Sequence, residues 1–235
     1  MILGIMQPYF LPYIGYFSLI RYSDQWIVFD TVQYIRHGWI NRNRILKPED
    51  GWQYIVVPLK NHSNRAQIKD LEISSTQDWK GKILRQVEHY KKTAPFYEEA
   101  DRLLQEWLYI EEESISRYNA LLMKKICDYL DIPFRFAFFS EMKLDLGTIR
   151  EPQEWALRIS EKLSAEEYVN PPGGMEFFDR ERFKNTGIKL TFLRNRLKPY
   201  NQKRKSFEPG LSILDVLLFN AKEQIREMID DYELL

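Results

Sequence analysis

Residues 2–15 read ILGIMQPYFLPYIG, and this stretch joins an apolar run to a helix-forming run through a turn that contains two prolines. The apolar run 2–6 is short enough for a buried strand. Pro8 and Pro12 exclude a continuous helix or a central strand over 7–13, because proline lacks the amide proton that both structures need. We therefore predict a strand over 2–6, an ordered loop over 7–13 and a helix that begins near Ile14.

The same alternation of strands and helices continues along the chain. Short apolar runs predict strands at 26–29, 53–59, 70–74, 134–139, 167–169 and 188–193. Helices are expected over 152–163, 176–186, 212–220 and 221–232, and apolar stripes predict a mainly helical segment over about 77–131. We expect the strands at 53–59 and 70–74 to extend the sheet of the first β-α-β unit. The pattern predicts an α/β fold with a mainly parallel sheet, Rossmann-like layering and a central helical segment, in a single domain over 1–235.

Polar side chains mark several expected helix starts. Thr76 and Ser114 each precede an apolar stripe, so we expect each hydroxyl to accept a hydrogen bond from a free amide of the first turn. Ser212 and Asp215 have the spacing of a capping box, with aspartate where glutamate or glutamine is usual. We assign this pair a structural role.

The charge balance and the cysteine content narrow the class of protein. The 235 residues include 34 basic and 34 acidic side chains, so we expect no partner that is duplex nucleic acid, and any anion site must be local. The one cysteine, Cys127, allows neither an internal disulfide nor a thiolate zinc cluster, which fits a cytoplasmic protein. No run approaches the roughly 18 to 20 apolar residues of a spanning helix, so we expect no membrane insertion.

The segment over 33–47 is the richest in hydrogen-bond donors. Arginine forks match phosphate or carboxylate oxygens in bidentate geometry, and no acidic residue between Asp30 and Glu49 offsets the arginines of this segment. The alternative is a solvated basic loop, because alternate arginines of one strand share a face and can simply point to water. We predict an anionic small-molecule substrate here, bound by Gln33, Asn41, Arg42, Asn43 and Arg44.

The proline loop is a second candidate for substrate binding. Ligands of α/β sheets collect at the carboxyl ends of strands, and this loop follows the first strand. Gln7, Tyr9 and Gly15 combine a polar amide, a rigid turn and a helix N-terminus that can present N–H groups to phosphate or carboxylate. The alternative is a structural loop packed with aromatic side chains.

Two later loops also follow predicted strands. Gly173 and Gly174 permit a close approach of the backbone to a ligand, although a plain turn is an equal alternative. Tyr200 and Gln202 lie in a basic loop over 194–205 that could close over the same substrate. A nucleic-acid contact or a flexible surface loop is the alternative for this basic run.

Asp30 and His37 are the candidates for acid–base catalysis. Asp30 lies at the end of a predicted strand, and His37 lies in the donor-rich segment. His62 and His89 have no metal-ligand spacing, and Cys127 falls on a predicted helix. We predict no metal site and no bound cofactor.

Residues 6–17 read MQPYFLPYIGYF, and this run strongly resembles the start of WbqC-like proteins. The resemblance continues through 29–46, 52–58, 168–174, 200–202 and 207–215, so it is spread over nearly the whole chain. Met6 stands where many relatives have a histidine. This departure shifts the expected chemistry to Gln7, Asp30 or His37.

The resemblance implies a function as well as a fold. The WbqC-like family is associated with bacterial polysaccharide and O-antigen clusters, which implies a sugar-modifying or acyl- or aminoacyl-transfer role. We therefore expect a transferase that acts on an activated anionic small molecule, a nucleotide sugar or an acyl or aminoacyl donor, in surface-polysaccharide biosynthesis. The alternative is a noncatalytic binding or scaffold protein of a polysaccharide assembly complex, with exposed tyrosine and tryptophan side chains as its contacts.

Overall fold

The apolar run at the start of the chain forms a central strand of a six-stranded sheet. The computed structural model describes residues 1–235. Its strands are β1 (Ile2–Met6), β2 (Gln25–Val28), β3 (Arg42–Leu46), β4 (Trp52–Val56), β5 (Phe136–Phe138), β6 (Glu167–Asn170), β7 (Lys189–Asn195) and β8 (Tyr232–Leu234). Its helices are α1 (Ile14–Tyr22), α2 (Trp79–Val87), α3 (Tyr97–Leu108), α4 (Ile115–Tyr129), α5 (Glu154–Lys162), α6 (Arg180–Asn185), α7 (Ile213–Phe219) and α8 (Lys222–Asp230). The predicted first strand and the helix that begins at Ile14 are confirmed.

The main sheet has the strand order β5–β2–β1–β6–β7–β8, and all neighbours pair in parallel except β7 and β8. The chain passes from β1 to β2 and β5 on one side, and then to β6 and β7 on the other, so the winding reverses between β1 and β6. The five parallel strands end at one edge, which we call the carboxyl edge. Sheets of this kind bind ligands at that edge. The predicted α/β fold with a mainly parallel sheet is confirmed.

Helices cover both faces of this sheet. Leu3 and Ile5 of β1 pack in a smaller apolar cluster with α5 and α6, whereas Trp26 and Val28 of β2 pack in a larger cluster with α1, α4 and α7. Gly4 lets the Trp26 ring lie against β1, because a Cβ atom at position 4 would be 2.5 Å from the ring. The helices on the two faces form the outer layers of the predicted Rossmann-like arrangement, and the two clusters join them to the sheet.

A separate hairpin replaces the predicted extension of the main sheet. The run over 53–59 contributes β4, which pairs antiparallel with β3 alone. The run over 70–74 makes only isolated bridges, from Ile73 to Leu59 and from Glu72 to Ser114. Gly51 in the connecting turn has a φ of 66°. Tight turns of hairpins commonly need a residue in this left-handed conformation, so Gly51 lets the chain reverse and β4 pair with β3. The prediction that these strands extend the first β-α-β unit was therefore wrong.

The central helical segment is confirmed as α2, α3 and α4, with a 3₁₀ turn over Glu88–Lys92 between the first two. These helices bury apolar stripes in the larger cluster, and Cys127 of α4 lies buried there. None of the helices in the chain combines the length and the apolarity that crossing a membrane requires.

The cap of α4 agrees with the sequence, and the cap of α2 does not. The Ser114 hydroxyl accepts a hydrogen bond from the Arg117 amide at 3.4 Å. The Thr76 hydroxyl is engaged with a neighbouring serine, and the Asp78 carboxylate caps α2 by accepting from the Gly81 amide at 2.9 Å. Asp78 is closer to the first helical turn, and a carboxylate is a strong acceptor for the free amides there.

Asp215 is a buried hydrogen-bond centre and does not complete a capping box. Its carboxylate accepts hydrogen bonds from the hydroxyl groups of Tyr90 at 2.6 Å and Tyr200 at 2.5 Å, and from the Gln202 amide at 2.9 Å. Ser212 still caps α7, since its hydroxyl accepts from the Leu214 amide at 3.2 Å. The capping-box role of Asp215 was wrong because α7 is buried along its whole length, so the carboxylate needs donors from elsewhere.

These hydrogen bonds connect four parts of the chain. The Tyr90 hydroxyl also accepts from the Leu46 amide of β3 at 2.7 Å. The Asp215 cluster, which we define as Tyr90, Tyr200, Gln202 and Asp215, therefore joins the hairpin, the 3₁₀ turn, the loop over 200–202 and α7. Burial raises the pKa of Asp215 above its ordinary value, and the three donors oppose this effect.

The Asp215→Ala variant should lower the free energy of unfolding by about 3 kcal/mol, because it removes the acceptor of two tyrosine hydroxyl groups, whereas the Gln202 amide keeps the Glu208 carbonyl oxygen as a partner. Asp128→Ala is the matched control, since Asp128 is an exposed helical aspartate with one partner, Lys124. That control should cost less than about 1 kcal/mol. Urea denaturation of both variants measures the difference, and equal losses would contradict the structural role of the Asp215 cluster.

Candidate functional site

Asp30 lies at the carboxyl edge, two residues beyond β2. Its side chain is buried, and its two carboxylate oxygens accept hydrogen bonds from the Ser140 amide at 3.0 Å and the Ser140 hydroxyl at 2.7 Å. Ser140 lies two residues beyond β5, and Val28 pairs with Phe138 in the parallel register. Parallel pairing therefore brings the two residues together, because equal steps past paired positions end side by side.

The carboxylate borders a cavity of about 200 Å³, which we call the Asp30 cavity. Residues from four segments meet there: the end of β2, the turn over 68–70, the start of α4 and the end of β5. The Lys69 amide donates to the Asp30 carbonyl oxygen at 2.8 Å and fixes the turn against β2. The lining residues are Asp30, Lys69, Asp70, Ser114, Ser116, Arg117, Phe138, Ser140 and Glu141.

The start of α4 gives this cavity polar groups. Ser116 is buried, and its hydroxyl has no hydrogen-bond partner in the chain. A helix N-terminus also carries partial positive charge and free amide groups. An oxygen atom of a ligand could accept hydrogen bonds from the Ser116 hydroxyl and from the free amide groups of the first turn of α4.

Two cations and two acidic side chains surround the mouth of the cavity. Arg117 forms an ion pair with Glu141 and lies 5.0 Å from the centre of the Phe138 ring. Lys69 pairs with Asp70 at 2.7 Å. Both pairs are partly exposed, so a bound anion can compete for the cations at little cost in stability.

The proline loop is largely filled by its own side chains. The Tyr16 hydroxyl donates to the Gln7 carbonyl oxygen, and the Tyr9 ring packs 5.4 Å from the Tyr16 ring. Gly15 is needed at the start of α1 because a Cβ atom there would be 2.5 Å from the Tyr13 ring. Of the predicted substrate residues in this loop, Gln7 alone has a side-chain amide at the carboxyl edge, and that amide makes no hydrogen bond within the chain.

The asparagines of the donor-rich segment bind main-chain groups. Asn43 is buried and donates to the carbonyl oxygens of Phe10 at 2.9 Å and Leu11 at 2.8 Å, so it joins the hairpin to the proline loop. Asn41 donates to the Val57 carbonyl oxygen at 2.9 Å. The exposed Gln33 donates to another main-chain carbonyl. These amides hold the loops in place.

The arginines of the same segment are separated from the Asp30 cavity. Arg42 donates to the carbonyl oxygens of His37 and Gly38 and lies 4.0 Å from the centre of the Tyr54 ring. Arg44 donates to the Gly210 carbonyl oxygen at 3.2 Å. Its guanidinium group lies 5.5 Å from the centre of the Trp39 ring and 5.1 Å from the centre of the Trp52 ring.

His37 does not join Asp30. The residue is exposed, has a left-handed φ of 65° and contacts Arg42. It makes no hydrogen bond with Asp30, whose carboxylate is engaged by Ser140. The structure thus places the two predicted catalytic residues in different surroundings.

The turn after β6 has one constrained glycine and one unconstrained glycine. A Cβ atom at Gly174 would be 2.3 Å from the Asn170 side-chain oxygen, whereas one at Gly173 would meet nothing within 4 Å. Asn170 donates to the Tyr168 hydroxyl at 2.6 Å. Gly174 is therefore required by packing, and Gly173 leaves the backbone open to solvent at the carboxyl edge.

The residues that sequence reasoning missed are Ser140, Ser116, Arg117 and Lys69. A signal for Ser140 was present, since Ser140 follows a predicted strand as Asp30 does. The start of α4 was recognised only as a cap. No group of three or more His, Cys, Asp or Glu side chains is placed to hold a metal ion.

Comparisons with known proteins place the chain in a family. The model of the WbqC-like protein family matches residues 7–227. An uncharacterised protein of Mycobacterium tuberculosis, Rv1507c, is 35% identical over 221 residues, which cover 93% of each chain. No solved structure gives a significant match. The chain therefore belongs to the WbqC-like protein family.

Proposed function

We propose that the protein is a transferase whose reaction centre is the Asp30 cavity. The observation that supports this most is a buried carboxylate at the carboxyl edge, held by two donors from Ser140 and open to a cavity at the start of a helix. A carboxylate oriented in this way can accept a proton from an attacking hydroxyl or amine. Each oxygen of Asp30 accepts one hydrogen bond from Ser140 and keeps a further lone pair for the substrate.

The residues that face Asp30 across the cavity indicate the class of substrate. As the acceptor attacks the donor molecule, the bond to the leaving group breaks and negative charge develops on that group. Arg117, Lys69 and the start of α4 can stabilise this charge, and the free Ser116 hydroxyl can donate to it. These groups favour an activated anionic donor, such as a nucleotide sugar or an acyl or aminoacyl donor.

The biological setting is part of the same proposal. The resemblance to WbqC-like proteins implies the biosynthesis of bacterial surface polysaccharide, so nucleotide sugars come first among the donors to test. The cavity of about 200 Å³ is small for a whole nucleotide sugar and fits only the reacting end. The rest of the donor would lie along the carboxyl edge, where Gln7 and Gly173 are open to it.

Ligand binding should depend on Arg117. In a thermal-shift screen with nucleotides, nucleotide sugars and acyl-CoAs, a ligand that binds the native state raises the melting temperature. Arg117→Gln should lose at least half of that rise, because it removes a cation at the cavity mouth. Arg158→Gln is the matched control, since the side chains of Arg158 and Arg117 are 49% and 50% exposed and each pairs with a glutamate. An equal rise in both variants, or a screen without any rise, would contradict the proposed site.

Turnover should depend on Asp30 more than binding does. Asp30→Asn keeps the shape of the side chain but removes the proton acceptor, so the transfer rate should fall about 100-fold or more while ligand affinity changes by less than about threefold. Rates with the donor found in the screen, together with calorimetric affinities, separate the two effects. An undiminished rate in Asp30→Asn would show that Asp30 is not the base. Tight binding with no transfer by the wild-type protein would favour the noncatalytic alternative.

A further inference from the structure

A second pocket of about 270 Å³ lies beside the Asp215 cluster, away from the residues of the Asp30 cavity. We call it the His89 pocket. His89, Lys92, Gln202, Lys203 and Arg204 are among its lining residues, and it shares none with the Asp30 cavity. An open groove of about 750 Å³ continues from it past Lys203, Arg204 and Lys205. The two spaces together leave room for a ligand with one end enclosed and the other in solvent.

Positive charge is concentrated around this pocket. Lys92, Lys203, Arg204 and Lys205 take part in no ion pair, although 21 ion pairs occur in the chain. The acidic residues that line the pocket and the groove, Glu49 and Asp50, are exposed. The excess of unpaired cations attracts an anion with more than one charge.

The backbone fixes the charged group of Arg204, and the main chain of Lys203 is held in one conformation. The Arg204 guanidinium donates to the carbonyl oxygens of Glu49, at 2.7 Å, and Lys47, so it bridges the hairpin turn and the basic loop. Lys203 has a left-handed φ of 56°, and its amide donates to the Asn201 side chain at 3.0 Å. A non-glycine residue in this region is uncommon, and such strain collects at ligand sites.

His89 supplies an unsatisfied polar atom. Its Nδ1 lies 2.8 Å from the Gln86 carbonyl oxygen, which can only accept, so Nδ1 holds the proton. Its Nε2 is shielded from solvent and has no partner in the chain. Burial, with a smaller effect from Arg204, lowers the pKa of His89, so the neutral ring offers a lone pair at Nε2. A hydroxyl group or a protonated phosphate oxygen would satisfy it.

We propose that the His89 pocket is a binding site for a small molecule that contains a phosphate or diphosphate group. Lys92, Lys203 and Arg204 bind the anionic oxygens, and Nε2 of His89 accepts a hydrogen bond from a protonated oxygen of the ligand. Tyr90 and Gln202, which line the pocket, both donate hydrogen bonds to Asp215. This site is independent of the Asp30 proposal.

Calorimetry with inorganic pyrophosphate tests the site, using the full chain in a phosphate-free buffer at constant ionic strength. Wild-type protein should show saturable binding. A Lys92→Ala, Lys203→Ala double variant should bind at least tenfold more weakly, whereas the control double variant Lys91→Ala, Lys162→Ala should stay within twofold. All four lysines are exposed, so the variants should fold normally. Absent binding, or equal loss in the control, would overturn the proposal.

Histidine NMR locates the bound pyrophosphate. The chain has three histidines, so their ring signals can be assigned with single His→Gln variants. Addition of pyrophosphate should shift the ring signals of His89 and leave those of His37 and His62 in place. Arg117→Gln should bind pyrophosphate as wild type does, because Arg117 lines the Asp30 cavity and not the His89 pocket, and this result separates the two sites. Shifts of His37 alone would place the anion at the Arg42 loop and overturn the assignment.

Discussion

The parallel pairing of β2 with β5 is the constraint on which the proposed reaction centre depends. It places Asp30 and Ser140 side by side although 110 positions separate them in the sequence. A buried carboxylate needs donors, and Ser140 provides two of them without neutralising its charge. The long insertion between β2 and β5 then contributes the start of α4 and the turn over 68–70. The Asp30 cavity thus has one wall from the sheet and one from the insertion.

The Asp215 cluster also joins segments that are distant in the sequence. Its hydrogen bonds hold the hairpin, the 3₁₀ turn and the basic loop against α7. Burial of a carboxylate is costly, and it is offset here because Tyr90, Tyr200 and Gln202 all donate to it. Tyr90 and Gln202 also line the His89 pocket, so the group that orders the basic loop is next to the cations of that pocket. Residues with a structural role therefore also line the proposed phosphate site.

Secondary structure that depends on neighbouring residues could be predicted from the sequence. Contacts that depend on the order of the strands in the sheet could not. The first strand, the proline loop and α1 follow from apolar patterning and from two prolines. Asp30 could be singled out because a polar residue directly after a buried strand lies at the carboxyl edge. Ser140 also follows a predicted strand, but its contact with Asp30 could not be predicted, because the sequence does not say that β5 is the neighbour of β2. The arginines of β3 looked like an anion site because their partners, the tryptophan and tyrosine rings and distant carbonyl groups, are assembled only in the fold.

Asp215 is a second residue whose contacts could not be predicted from the sequence. The helix sequence ILDVLLF contains one charged residue among six apolar ones, which indicates a buried carboxylate. Its donors come from 125, 15 and 13 positions away, so a local capping role was the simplest interpretation of the sequence. Long-range hydrogen bonds decide the role of such a residue, and only the folded arrangement shows them.

Hydrogen–deuterium exchange with the donor identified by the screen tests whether that donor binds in the Asp30 cavity, because it maps where the ligand protects the backbone. Protection should be strongest in peptides covering 68–71, 114–118 and 138–141, the segments around the Asp30 cavity. Protection confined to 36–44, with these segments unchanged, would contradict binding in this cavity and return the reaction centre to the arginine loop.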